Sequence, residues 1–194
     1  MKIKKYKNFK PREFKNTPNK SYDVGNGKVV WDSRSVAVNV MVFLDYQDDI
    51  YVLIGKRGTG AADNIGKYNV PSGYLDRDET GPEAADREVW EETGFDLTQI
   101  DSLMIDDVIV DYLQKPWDVN TLPGANRQNV SLRYGVFLRV DELPELTTVF
   151  SEPNEVAEVK WEKLEYIDEY EWAYNHDELI HDFEQLLTDK GYLQ

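Results

Sequence analysis

The chain has 194 residues, of which 41% are hydrophobic and 12% aromatic, enough apolar content to fill one core in a domain of ordinary size. It has no cysteine and a formal net charge of −15, which excludes a disulfide framework and a thiolate zinc site and argues against a broad nucleic-acid surface. No run approaches the ~20 apolar residues of a membrane span, and the lysine-rich start has no apolar segment behind it, so no membrane association and a cytoplasmic location are expected.

Residues 1–20 carry eight Lys or Arg and one acid, a local charge of +7, which leaves 14 bases against 36 acids for the rest. A basic arm over residues 1–30, solvated or docked on a partner, followed by one domain over 31–194 is the simplest division. In the domain, SVAVNVMVFL (35–44) and IYVLIGK (50–56) are β-branched runs joined by the polar DYQDD, a hairpin signal. KYNVPSGY (67–74) reads as a short extended piece. DETGPEAADREVWEETG reads as a helix capped near Thr80 or Gly81, with Pro82 in its first turn and Gly94 as its stop. Strand patterns return at 103–112, 130–140 and 155–161, and residues 177–187 place Leu179, Ile180, Phe183, Leu186 and Leu187 at amphipathic helical spacing. Strands alternating with two helices imply a mixed α/β sandwich. Residues 113–129 have two prolines and no periodicity; a loop of that length in a compact domain makes a candidate substrate loop.

The stretch REVWEETGF, residues 87–95, sets three glutamates close together. At about 100° per residue, Glu91 and Glu92 fall at about −60° and +40° from Glu88, so all three share one helix face. Taken alone, a solvated acidic face is the ordinary explanation. The register around it is more informative. Gly73 is followed after five residues by Glu79, after seven more by Arg87, Glu88 and Val89, and then by Glu91, Glu92, Gly94 and Phe95.

That pattern resembles the Nudix box, G-x5-E-x7-R-E-U-x-E-E-x-G-U, where U is a bulky apolar residue, and every fixed position is filled. The resemblance covers residues 73–95 and implies an α/β/α sandwich with a mixed sheet. Ser72 stands where the family often has a second glycine. The resemblance further implies Mg2+, or Mn2+ in its place, held by Glu88, Glu92 and Glu91, with the Gly73 carbonyl as a further ligand. Glu91 is also a candidate water activator, and Glu79 and Arg87 are the pair that braces the loop and helix ends. The chemistry suits the residues, because hard divalent ions bind through carboxylates together with substrate phosphates. If only the ion offsets the repulsion among the glutamates, the metal-free protein is strained. If Arg87 pairs with them, the cluster is also an ion-pair network.

Outside the box, Glu152 and Glu155 in SEPNE (151–155) are candidates for a general base, Glu155 being the first choice, and each can equally be a surface acid. Arg57 in GKRGTG is a candidate phosphate contact or a solvated strand-end arginine. Tyr112 lies where dinucleoside polyphosphate hydrolases of this family tend to carry a tyrosine, and also reads as a core tyrosine. Trp117 is a candidate base-stacking residue or packs under its own loop. Position 110 is Val where ADP-ribose hydrolases of the family tend to have proline. GTGAADNIGK misses the phosphate-loop spacing by one residue, and Tyr68 replaces its Ser or Thr. His176 and His181, five residues apart, do not share a helix face and read as surface histidines. The resemblance thus implies a hydrolase that cleaves a diphosphate linkage in a dinucleoside polyphosphate, ADP-ribose or nucleotide sugar; the alternative is a nucleotide-sensing module without turnover. A small nucleotide is the expected partner, and the sequence allows a homodimer without requiring one.

Overall fold

The computed structural model describes residues 20–32, 34–102, 105–122 and 129–193; most of the basic stretch, residues 1–19, lies outside them. The chain divides into two compact units, residues 1–34 and residues 35–194. In the first, β1 (Lys20–Gly25) and β2 (Lys28–Asp32) pair antiparallel. Asn26 and Gly27 join them with φ of 54° and 73°, the two left-handed positions that a tight hairpin turn requires and that an Asn-Gly pair adopts most readily. The stretch read as an arm therefore contains a hairpin from Lys20 onward.

In the second unit, β3 (Val36–Tyr46) and β4 (Asp49–Arg57) form the expected hairpin. Gln47 and Asp48 turn it with φ of 53° and 66°. Two short strands follow, β5 (Tyr68–Asn69) and β6 (Ser72–Tyr74), and then helix α1 (Gly81–Thr93). A 3-10 helix at Leu97–Ser102 leads to β7 (Ile105–Tyr112), β8 (Asp118–Asn120), β9 (Val130–Val140) and β10 (Val156–Lys163). A second 3-10 helix at Leu164–Glu169 precedes α2 (His176–Asp189). The loop expected over 113–129 is thus partly strand, because β8 pairs antiparallel with β9; residues 123–128 of it lie outside the described residues.

The sheet runs β10-β4-β3-β9-β7, with β5 added to β4, β6 to β3 and β8 to β9. Among the pairings between these strands only β3–β9 is parallel, with a single parallel bridge from Tyr68 to Trp172 besides, so the sheet is mixed. The apolar run of β3 is explained by burial on both faces. Val38, Val40, Val42 and Leu44 pack with Ala84, Ala85 and Val89 of α1. The intervening Met41 and Phe43 pack with Leu179, Ile180, Phe183 and Leu187 of α2. The Phe43 and Phe183 rings meet edge to face at 5.2 Å. The result is the expected α/β/α sandwich, with the central strand between two helices. Among the described residues no helix is long and apolar enough to cross a membrane.

Candidate active site

The chain enters α1 through a reciprocal cap. The Thr80 hydroxyl accepts from the Glu83 N–H at 3.4 Å, and the Glu83 carboxylate accepts from the Thr80 N–H at 2.8 Å, which satisfies two donors that a helix start would otherwise leave bare. Pro82 sits in the first turn, and Gly94 closes the helix with φ of 71°, a left-handed position that glycine takes without a Cβ clash. These caps fix the start and stop of a helix whose inner face carries Glu88 and Glu92.

Both glutamates are buried, Glu88 at 9% exposure and Glu92 at 7%. Arg87 gathers the carboxylates around it. It donates to Glu79 from Nε at 2.7 Å and from Nη2 at 3.0 Å, and from Nη1 to Glu88 at 2.8 Å and to Glu91 at 3.0 Å. A further bond from Nη2 to the Tyr74 carbonyl at 3.0 Å ties the helix to β6. Glu92 instead accepts from the Ser72 N–H at 3.3 Å. Gly73 lies between these contacts, and a Cβ there would overlap the Glu88 carboxylate. Desolvation pushes the Glu88 carboxyl up to about 7, against the pull of Arg87 and with help from Glu91 and Glu155. Glu92 is raised well above the usual carboxylate range by desolvation and then by Glu88 and Glu155.

Glu155 reaches this group from a distant turn. The Gly58 N–H donates to the Glu155 carbonyl at 2.6 Å, and the Gly60 N–H to the Asn154 carbonyl at 2.8 Å. A Cβ on Gly58 would overlap that Asn154 carbonyl. Gly58 and Gly60 of GKRGTG therefore admit the 153–155 turn, a close approach for which only glycine is small enough. Before the 153–155 turn, Phe150 stacks on Trp90 of α1 with ring centroids 4.3 Å apart. Glu155 is raised by desolvation and by Glu152, while Arg57 lowers it. A cleft of about 560 Å3 opens beside Gly73, Arg57 and Glu155 and extends past Asn39, Ser131 and His176.

The family profile for the NUDIX domain matches residues 33–183. The chain belongs to the Nudix family. No match is found among curated proteins. Several solved structures share the Nudix fold. The NUDIX domain of Shewanella oneidensis NrtR, complexed with ADP ribose, is 18% identical with a TM-score of 0.60, over 86% of this chain and 94% of that one. A bifunctional NMN adenylyltransferase/ADP ribose pyrophosphatase from Francisella tularensis is 21% identical with a TM-score of 0.59, over 81% of this chain, which spans only 42% of that protein; its structure contains AMP and a Mn ion. A C. elegans Ap4A hydrolase is 15% identical with a TM-score of 0.58, over 80% of this chain and 98% of that one. At these identities the likeness establishes the fold alone.

Of the residues singled out from the sequence, Glu79, Glu88 and Glu91 are bonded to Arg87, Gly73 lies against Glu88, Glu92 and Glu155 are near enough to influence these carboxylates, and Arg57 lines the cleft beside Glu155. Arg57 is not solvated: it bonds the Asp63 carbonyl at 3.0 Å and lies 5.3 Å from the Tyr174 ring. Tyr112 and Trp117 pack instead against the core on the α2 side of the sheet. Trp117 lies 5.5 Å from Phe183 and donates to the Tyr134 carbonyl at 3.3 Å. His176 does not match the surface reading: it is 3% exposed, because it opens α2 under the sheet, whereas His181 is paired outside with Asp168 and Glu184. The sequence reading passed over Asn39, Ser131 and Arg133, all on the cleft wall. Asn39 had a signal, a polar residue inside an otherwise apolar run.

The residues fit a divalent ion of the Nudix kind. Their donors are hard carboxylate oxygens beside a glycine whose missing side chain leaves room against Glu88. Among the described residues, no three Asp, Glu or His side chains stand close enough to enclose an ion by themselves. An ion held here would need further ligands from water or substrate phosphates, which Mg2+ commonly takes.

Proposed function

We propose that this Nudix protein is a divalent-metal-dependent hydrolase that cleaves the diphosphate linkage of a nucleoside diphosphate joined to a second moiety, as in ADP-ribose, a dinucleoside polyphosphate or a nucleotide sugar. One observation carries the reading: Glu88 and Glu92 are buried and close enough to influence each other and Glu155 beside a nucleotide-sized cleft, and Arg87 is bonded only to the first of these three, so ionising the cluster is costly without a further cation. The compounds in the structures of its relatives, ADP ribose and AMP, point to the same chemistry.

Glu88 and Glu92, with Glu91 and the Gly73 carbonyl, would hold Mg2+ or Mn2+. When bound, such an ion neutralises phosphate oxygens and makes water more acidic. Arg87 and Glu79 hold the helix against β6, so that the glutamates and Gly73 keep one spacing. Arg57, at the cleft beside Glu155, is placed to steady a phosphate. Glu155 takes a proton from the attacking water, and its raised pKa suits that task better than an ordinary carboxylate's would. The water oxygen bonds to phosphorus, the bridging oxygen leaves with the other phosphate, and two phosphorylated fragments result.

The test is a panel of dinucleoside polyphosphates, ADP-ribose and nucleotide sugars, incubated with Mg2+ or Mn2+ and followed by phosphatase-coupled phosphate release. Hydrolysis of at least one compound, abolished by EDTA, is expected. Tight binding of these compounds with no hydrolysis would establish the sensing alternative instead.

A further inference from the structure

The cleft contains a polar group that hydrolysis does not use. Asn39 is 8% exposed, and its amide lies 3.2 Å from His176 Nε2 on one side and is hydrogen-bonded to the Ser131 hydroxyl on the other. The Val70 N–H donates to His176 Nδ1 at 3.2 Å. Burial and the nearby Arg57 and Arg133 keep this imidazole neutral, its pKa pushed down to about 3. Asn39, Ser131 and His176 all line the cleft.

Counting protons gives the group a direction. A backbone N–H can only donate, so Nδ1 is the acceptor of the ring. A neutral imidazole has one donor and one acceptor nitrogen, so Nε2 carries the proton. The Asn39 amide must then present its oxygen to His176 and its NH2 to Ser131. A half-turn of the amide allows this without changing its shape. Ser131 Oγ accepts from Asn39 and retains its own proton to donate. Leu179, one turn along α2 from His176, also lines the cleft and offers an apolar surface within it.

We infer that Val70, His176, Asn39 and Ser131 form a one-way hydrogen-bond relay whose end, the Ser131 hydroxyl, is a specificity contact for an acceptor, a ring nitrogen or carbonyl, on the heterocyclic base of the substrate. The inference rests on the nucleotide reading of the cleft given above. With one Ser131 lone pair taken by Asn39, an acceptor opposite the hydroxyl pairs with its free proton, whereas a donor there must use the remaining lone pair and leaves that proton without a partner, which is costly in a buried site.

Two substitutions test the relay. Asn39→Asp keeps the shape, but the new carboxylate accepts from both His176 and Ser131, drawing the Ser131 proton inward and turning acceptor lone pairs to the cleft. Ser131→Ala removes the final donor. Binding of AMP, GMP, CMP and UMP is measured by calorimetry in Mg2+; these monophosphates have no diphosphate linkage to cleave. The expected result is about a tenfold loss of affinity for the best-bound nucleotide in each variant, and in turnover assays a KM that rises far more than kcat falls. Unchanged affinity in both variants overturns the relay and leaves the hydrolase reading intact. Weakened binding in a protein that hydrolyses nothing supports the relay and overturns the hydrolase reading, while a parent protein that binds none of the four overturns both. A ligand-free measurement stands beside these: long-range 15N–1H NMR of the parent should show His176 protonated on Nε2, and a proton on Nδ1 would overturn the relay whatever the binding data.

Discussion

The guanidinium of Arg87 is held by Glu79 as a fork on a fork, Nε to Oε1 at 2.7 Å and Nη2 to Oε2 at 3.0 Å. The same arginine reaches Glu88, Glu91 and the Tyr74 carbonyl, and Glu79 also accepts from the Asp76 N–H at 2.9 Å. One side chain thus joins the loop after β6 to the helix that carries the glutamates. Arg87→Lys keeps the charge and loses the planar fork. It should cost about 1.5–3 kcal/mol in urea denaturation, the range for hydrogen bonds to charged groups, and should slow turnover at least about tenfold through the displaced helix. A variant as stable as the parent would show that the fork braces nothing.

Among the described residues no arginine bonds to Glu92, although Arg57 is near enough to lower it; it is buried and accepts from the Ser72 N–H. If it holds an ion, Glu92→Gln should lower turnover at least about 100-fold at saturating Mg2+. The parent should gain about 2.7 kcal/mol of stability from Mg2+ at a hundredfold excess over its dissociation constant, and the variant clearly less. Thermal melts with and without Mg2+ make the comparison. Equal gains in both proteins would place the ion elsewhere.

The sequence made the glutamate face legible because its partners are local: Arg87, Glu88, Glu91 and Glu92 lie within two helical turns, and helix geometry alone brings them together. The strands of the sheet were legible for a similar reason, since a run buried on both faces leaves an uninterrupted apolar stretch. What could not be read were meetings across the chain. His176 finds Asn39 and Val70, 137 and 106 residues away, so spacing within its own helix said nothing about its burial. Gly58 and Gly60 belong to GTGAADNIGK, a stretch that only resembles a phosphate loop, and their use appears only when the 153–155 turn lies against them. The Asn26-Gly27 hairpin was a local signal, hidden by the surrounding lysines.

Burial of Glu88 also gives a pH signature. Its carboxyl is raised to about 7 in the folded protein from an ordinary 4.5. Between those values the folded state holds a proton that the unfolded chain has released. The associated stability is therefore fully present below pH 4.5 and lost as pH rises through about 7. His176 acts in the opposite sense, since its folded value of about 3 lies below the ordinary 6.5, and its contribution is lost as pH falls from 6.5 towards 3. Comparing Glu88→Gln with the parent in EDTA cancels the histidine. The difference in Tm should be small near pH 4.5 and grow in favour of the variant towards about pH 8. A variant that melts lower than the parent at the upper end would show that the Arg87 pair outweighs the cost of burial.

The contact between Gly58 and the 153–155 turn ties a glycine outside the box to the candidate base. A methyl group at Gly58 meets the Asn154 carbonyl, and backbone atoms cannot swing aside as a flexible side chain can, so the turn itself must move. Glu155 moves with it, because its carbonyl is bonded to the Gly58 N–H at 2.6 Å. A displacement of about 1 Å in a reacting group costs up to about 100-fold in rate, and overpacking of this kind about 1–3 kcal/mol in stability. Gly58→Ala is therefore expected to lower kcat by about 10- to 100-fold with Mg2+ affinity little changed, a profile shared with Glu155→Gln. If the glycine acts only by placing Glu155, the double variant should be no slower than the slower single variant, since the second change removes what the first has already misplaced. Losses that multiply would mean that Gly58 serves the reaction by some route other than Glu155, and would remove the main structural support for Glu155 as the base.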